Sequence, residues 1–176
     1  IVLEVGCGKG EYTIALAAKF PHKNYIGIDL KGARIWRGGK NAGEQNLRNV
    51  AFIRTNAEQL TSVFSSSEIE EIWITFPDPY PKNSNAKKRL TSPRFLDVYK
   101  KILRPGGFIH LKTDNRPLYD FTIGTIKNYE GNIHFSTSDL YSEKKQDENL
   151  FIQTHYEKIF LGQGLPICYL RFGLGE

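Results

Sequence analysis

The densest chemistry in the chain lies in Thr75-Phe76-Pro77-Asp78-Pro79-Tyr80-Pro81-Lys82, "TFPDPYPK". It follows the apolar run "EIWITF", which reads as a buried strand. Three prolines then hold an acid and an aromatic residue between them. Proline locks its own φ, lacks a backbone donor and restricts the residue before it. The loop is therefore stiff, and Asp78 is a carboxylate held at a strand end. A fixed carboxylate can accept hydrogen bonds or face positive charge. Among the acids of the chain, Asp78 is the one least explained by structure alone.

A second constellation is "EVGCGKG", a strand followed by Gly6, Gly8 and Gly10. Glycines there let the backbone approach a ligand and turn into a helix. A dinucleotide fingerprint needs a glycine at the next position, which is Glu11. An acid at a helix N-terminus suits the helix dipole but repels a pyrophosphate. Nicotinamide and flavin cofactors are thus disfavoured. A cofactor with positive charge and no phosphate fits better, which points to S-adenosylmethionine, with Glu4 attracting its amino-acid end. Asp29 ends the next strand and can accept both ribose hydroxyls. Asn56 ends the third, and its amide can pair with the adenine edge. Each residue alone also reads as a turn glycine or a helix cap; the set reads as a cofactor site.

These residues need strands and helices to hold them, and the chain alternates the two. Strands are expected at Ile1–Val5, Asn24–Asp29, Val50–Arg54, Ile69–Phe76, Phe108–Thr113, Ile133–Ser138 and Pro166–Phe172. Helices are expected at Glu11–Phe20, Lys31–Asn46, Ala57–Phe64, from Ser92-Pro93 to about Leu103, and Pro117–Lys127. Arg104-Pro105-Gly106-Gly107 reads as a sharp stop, and 140–153 as a polar loop. Thr154-His155-Tyr156-Glu157 fits a capping box that opens a short helix. Such alternation argues for an α/β fold with a mainly parallel sheet, whose ligands bind at the carboxyl ends of the strands. The strand ends are Gly6–Gly10, Asp29, Asn56, Asp78 and Asp114.

The 176 residues suit one domain, 1–176. The chain has no methionine and starts inside a strand-like run, so an N-terminal extension is expected beyond Ile1. No apolar run is long enough for a membrane span. Cys7 and Cys168 match no metal spacing, and the four histidines form no ligand pair. A reduced, cytoplasmic setting without metal is expected. Net charge is +5, but Lys82 to Arg104 holds eight basic residues against one acid, Asp97. That block suggests a polyanionic partner, with a solvated helix face as the alternative.

"TFPDPYPK" with "KKRL", then "LKTDN", then "THYE" resembles, in order and across nearly the whole chain, the tRNA (guanine-N7-)-methyltransferases of TrmB type. The resemblance implies a class I Rossmann-like methyltransferase fold, with a mainly parallel seven-stranded sheet, helices on both faces and an antiparallel last strand. It implies methyl transfer from S-adenosylmethionine to N7 of a variable-loop guanosine in tRNA. It puts cofactor residues on Glu4, Asp29, Asn56 and Asp78, beside the turn glycines Gly6, Gly8 and Gly10, and Asp78 is also the expected catalytic residue. It puts substrate residues on Lys82, Asp114, Thr154, His155, Tyr156 and Glu157. Lys87, Lys88, Arg89 and Arg94 are the expected phosphate contacts. Three positions depart from the family pattern: Asp29 for a usual Glu, Asn56 for a usual Asp, and Tyr80 for a usual Trp. Charge, hydrogen-bonding capacity and aromatic face are retained.

Structural readings stand beside these. Asp114-Asn115 also reads as the cap of the helix near Pro117, and Lys112 as a surface lysine. Two other functions compete: methylation of an exocyclic amine, and a non-catalytic RNA-binding module. The sequence leaves the oligomeric state undetermined.

Overall fold

Burial on both faces decides the architecture. Strand β1, Val2–Val5, is buried at every position, as a strand covered by helices on both sides must be. The computed structural model describes residues 1–143 and 147–175. Along the chain β1 is followed by α1 (Glu11–Lys19), β2 (Tyr25–Asp29), α2 (Gly32–Glu44), β3 (Val50–Arg54) and β4 (Ile69–Thr75). Then come α3 (Pro93–Ile102), β5 (Leu103–Thr113), α4 (Arg116–Asn128), β6 (Asn132–Thr137), α5 (His155–Gly162) and β7 (Cys168–Gly173).

The seven strands form one sheet in the order β3-β2-β1-β4-β5-β7-β6. Pairs among β1 to β5 are parallel, and β7 runs antiparallel between β5 and β6. The order reverses between β1 and β4, so their carboxyl ends flank the crevice where such sheets bind ligands. One core layer joins Phe95, Leu96 and Tyr99 of α3 and Tyr119 and Ile126 of α4 to the sheet. The opposite layer gathers Tyr12, Leu16 and Ala17 of α1, with Phe160 and Leu161 of α5 packed against it.

Local chemistry explains most element ends. Pro93 opens α3 at its first turn. The Thr154 capping box is present in full, and Asn115 caps α4 by accepting from Leu118 N–H at 2.9 Å. Gly38 does not break α2, because glycine is what fits there. A Cβ would stand 3.0 Å from the Phe52 ring and 3.1 Å from the Lys9 carbonyl.

Three expectations are corrected. Arg104-Pro105-Gly106-Gly107 does not separate helix from strand; it lies within β5 at an irregularity, where pairing jumps from Ile69↔Leu103 to Glu71↔Phe108. Ala57–Ser62 is a 3-10 turn rather than a regular helix. The segment 140–153 contains 3-10 turns at Leu140–Ser142 and Glu148–Phe151, pinned by buried Leu140 and Leu150; residues 144–146 of that expectation lie outside the described residues. Among the described residues no helix is long and apolar enough to cross a membrane.

Candidate active site

Two cavities open at the carboxyl ends of the strands and share a wall. The first, about 490 Å³, is lined by Glu4, Gly8, Thr75, Asp78, Asp114 and Tyr156, among others. The second, about 240 Å³, is lined by Asp29, Asn56, Tyr80 and Lys88, among others. Gly6, Arg34, Phe76, Pro77 and Asp78 line both. Asp78 is exposed and lines both, so it stands at the junction of the two cavities.

The glycine turn is built by backbone geometry. Gly6, Gly8 and Gly10 have φ of 76°, 58° and 73°, in the left-handed region that favours glycine. Gly10 is further constrained by space, since a Cβ would lie 2.2 Å from the Phe52 ring. At Gly8 a Cβ would meet nothing within 4 Å. The turn is therefore tight at one end and open toward the cavity at the other. Gly6 and Cys7 N–H both donate to the Ile28 carbonyl at 2.9 Å.

Glu4 lies beneath this turn and is 4% exposed. One of its carboxylate oxygens accepts from Thr13 N–H at 3.0 Å and from the Thr13 hydroxyl. The other accepts from the Thr75 hydroxyl at 2.6 Å. Burial raises its carboxyl to about 6, even though these hydrogen bonds pull the other way. Asp29 accepts from Gly8 N–H at 3.1 Å and from Lys31 N–H at 2.8 Å, and the Arg34 guanidinium lies 3.7 Å away. Each Asp29 oxygen thus keeps a lone pair. Asn56 caps its 3-10 turn through Glu58 N–H at 3.2 Å, leaving its amide nitrogen available to the second cavity.

The proline loop does not leave the strand as an extended segment. Phe76 and Tyr80, each immediately before a proline, take φ of 48° and 43°. Left-handed backbone at such residues costs on the order of 1–3 kcal/mol, and it persists where neighbours over-determine it. Phe76 N–H is tied to the Lys112 carbonyl at 2.8 Å, and the far end of the loop is tied to Arg89. The Arg89 Nε donates to the Pro79 carbonyl at 3.1 Å, and its Nη2 to the Tyr80 carbonyl at 2.9 Å.

Asp114 and Asn115 divide the labour that the sequence left open. Asn115 caps α4, while Asp114 lines the first cavity, where burial raises its carboxyl above the ordinary range. Thr154, His155 and Tyr156 also line that cavity. Glu11 reaches across its mouth and accepts from His155 N–H at 2.5 Å.

Three residues do not stand where the sequence places them. Glu157, expected at the substrate, is fully buried. It accepts from Lys112 Nζ at 2.8 Å and from the Tyr141 hydroxyl at 2.9 Å. Lys112 is no surface lysine: it too is fully buried, and burial pulls its amine below the ordinary range while Glu157 pulls it back up. Arg89 is 7% exposed, stacks over the Phe121 ring at 4.3 Å, and is turned inward rather than toward a phosphate. Arg94 is exposed, as a phosphate contact needs to be, and pairs with Glu58 at 2.5 Å. Lys82, Lys87 and Lys88 are exposed, and Lys82 lines neither cavity. Among the described residues no group of three or more His, Cys, Asp or Glu could hold a metal ion.

The fold is shared with solved methyltransferases. A 16S rRNA methyltransferase, KamB, superposes with a TM-score of 0.73 at 16% identity, covering 99% of this chain and 87% of that one. A SAM-dependent methyltransferase from Aquifex aeolicus gives 0.68 at 12% identity, covering 98% and 81%. At such identities the likeness is one of fold, and it makes this a class I methyltransferase architecture. Residues 1–170 match the family described as "Putative methyltransferase". Among curated relatives, the tRNA (guanine-N(7)-)-methyltransferase of Christiangramia forsetii is 51% identical over 98% of this chain and 77% of its own length. That of Porphyromonas gingivalis is 50% identical over 100% and 72%, and that of Pediococcus pentosaceus 35% identical over 97% and 80%. Half of all positions shared along nearly the full chain, on this fold and with carboxylates at these strand ends, makes the chain a member of the tRNA (guanine-N(7)-)-methyltransferase family.

Proposed function

We propose that the chain transfers the methyl group of S-adenosylmethionine to N7 of a guanine in tRNA, at the variable-loop guanosine. The observation that carries this reading is Asp78 at the junction of the two cavities. The residues present fit the cofactor: an open backbone at Gly8, a buried carboxylate at Glu4, and spare lone pairs on Asp29. When bound, the cofactor supplies an electrophilic methyl group on a sulfonium. Glu4 faces its ammonium, Asp29 its ribose hydroxyls and Asn56 its adenine edge, with Tyr80 beside them. Asp114 accepts the guanine N1–H and N2–H, and Tyr156 offers an aromatic face to the base.

Guanine N7 carries an in-plane lone pair and needs no deprotonation, while the methylated base is cationic. The site therefore needs placement and negative charge rather than a strong base. Asp78 supplies the charge. The setting is a cytoplasmic one, with tRNA as the partner. Incubating the protein with unmodified tRNA and labelled cofactor, then mapping the modified nucleoside, tests the reading. N7-methylguanosine in the variable loop supports it; N6-methyladenosine, or no transfer, sinks it.

Glu4 makes cofactor binding depend on pH. The ligand ammonium selects the ionised carboxylate, whereas burial holds the free protein's carboxyl at about 6. Below that pH, binding must expel a proton, so affinity for S-adenosylhomocysteine should fall up to about tenfold per unit of pH. Above it the dependence should flatten. Calorimetry between pH 5 and 7.5 reads this directly, and Glu4→Gln should lower affinity and remove the slope. An unchanged slope in that variant would place the ammonium elsewhere.

The basic block predicts a modest salt response. Within the segment 82–94, Lys82, Lys87 and Lys88 are exposed and pair with no acid among the described residues, whereas Arg89 is buried and Arg94 pairs with Glu58. Three phosphate contacts give a slope of about −2 to −3 in log affinity for tRNA per log unit of salt. Replacing Lys82 and Lys87 by Gln should reduce that slope by about 1.5. A slope left intact would remove this segment from the RNA interface.

A further inference from the structure

Arg89 is buried beside the loop that carries Asp78, yet none of the chemistry above uses it. Its guanidinium touches no substrate-facing cavity. Instead Nε donates to the Pro79 and Tyr80 carbonyls at 3.1 and 3.3 Å, and Nη2 to the Tyr80 carbonyl at 2.9 Å. Neither carbonyl belongs to a helix or strand, and no backbone N–H among the described residues donates to either. The guanidinium carbon lies over the Phe121 ring of α4, 4.3 Å from its centre, which gives the group a second support. Tyr80, in left-handed backbone at φ 43°, turns consecutive carbonyls toward this one donor.

We propose that Arg89 is a positioning residue for methyl transfer: it pins the proline loop so that Asp78 stands at the junction of the two cavities. This rests on the reading of the site as the place of transfer. The pin also closes the chain from Pro79 to Arg89 into a loop that carries Lys82, Lys87 and Lys88 on its outer side. One side chain thereby sets the carboxylate and the RNA-facing lysines relative to each other. A planar fork is required, because two carbonyls and an aromatic face must be met together. Lysine offers charge without that geometry.

The test compares Arg89→Lys with the unaltered protein. Single-turnover methylation of tRNA should slow by about tenfold or more, while S-adenosylhomocysteine affinity falls by less, because most of the cofactor's expected contacts lie off this loop. In Arg89→Ala, millimolar guanidinium should restore part of the rate without raising the melting temperature. Amide hydrogen exchange gives a readout independent of catalysis: in Arg89→Lys, exchange should rise between Phe76 and Lys88 and stay unchanged in β1 and α1. Full-rate Arg89→Lys, or exchange in the loop equal to that of the unaltered protein, would overturn the proposal. If the unaltered protein fails to methylate tRNA, the reading of the site fails, and the exchange comparison still decides whether Arg89 pins the loop.

Discussion

Asp78→Asn is expected to lower single-turnover methyl transfer to tRNA by about two orders of magnitude, the scale of losing one preorganised electrostatic partner. The change keeps size and the proline frame and removes only charge. In the free protein this carboxylate is exposed at the junction of the two cavities. A bound cofactor and base would exclude water around it, and a charge matters more as the local dielectric falls. Positive charge grows on guanine as the N7–methyl bond forms, so the loss falls on the rate rather than on cofactor affinity. Asp114→Asn should act differently, raising the KM for tRNA, because the proposed function sets Asp114 against the base edge and not the transferring group. At saturating cofactor the rate should show no steep rise near neutral pH, since no histidine has to remove a proton before attack. Near-full transfer by Asp78→Asn would reduce the stiff loop to a structural feature.

The parts of this site that were legible in the sequence are those fixed by local chemistry. Strand ends show as apolar runs followed by glycine, an acid or an amide, and this signal groups Glu4, Gly8, Asp29, Asn56 and Asp78 without knowledge of the fold. The Thr154 capping box is likewise a four-residue signal. What stayed hidden depends on tertiary partners. Nothing local distinguishes Arg89 from Lys87 or Lys88, yet only Arg89 meets two stranded carbonyls and turns inward. Lys112 does carry a local signal of its burial. It sits in "FIHLKT", on a strand with neighbours on both sides, where burial on both faces leaves no surface for a lysine. Glu157 was read correctly as half of a capping box, and its second role as counter-ion required knowing where β5 runs. The Arg104–Gly107 turn was misplaced because proline and glycine signal irregular backbone equally well in a loop and in a bulged strand.

Lys112 and Glu157 should dominate the stability of the site. Both are fully buried, and the ammonium reaches the two carboxylate oxygens at 2.8 and 2.7 Å. The same ammonium donates to the Leu150 and Ile152 carbonyls at 2.8 and 3.2 Å and lies 5.3 Å from the centre of the Tyr12 ring. It thereby ties β5 and α1 to the segment that leads into Thr154. Glu157→Gln strands the ammonium in the core, and removing one partner of a buried pair costs about 3–5 kcal/mol. For a chain of this length that lowers the melting temperature by about 6–20 °C. Adding Lys112→Met to Glu157→Gln removes the stranded charge. Glutamine still suits the third position of the capping box, so the double variant should recover much of the stability lost by Glu157→Gln alone. It should not recover tRNA methylation, because the Leu150 and Ile152 carbonyls lose their donor and His155 and Tyr156 lose their anchored approach to the first cavity. Thermal unfolding of both single variants and the double variant closes the cycle. Losses that simply add, within about 0.5 kcal/mol, would mean that the two charges do not hold each other and that α5 is anchored by its cap and apolar face alone.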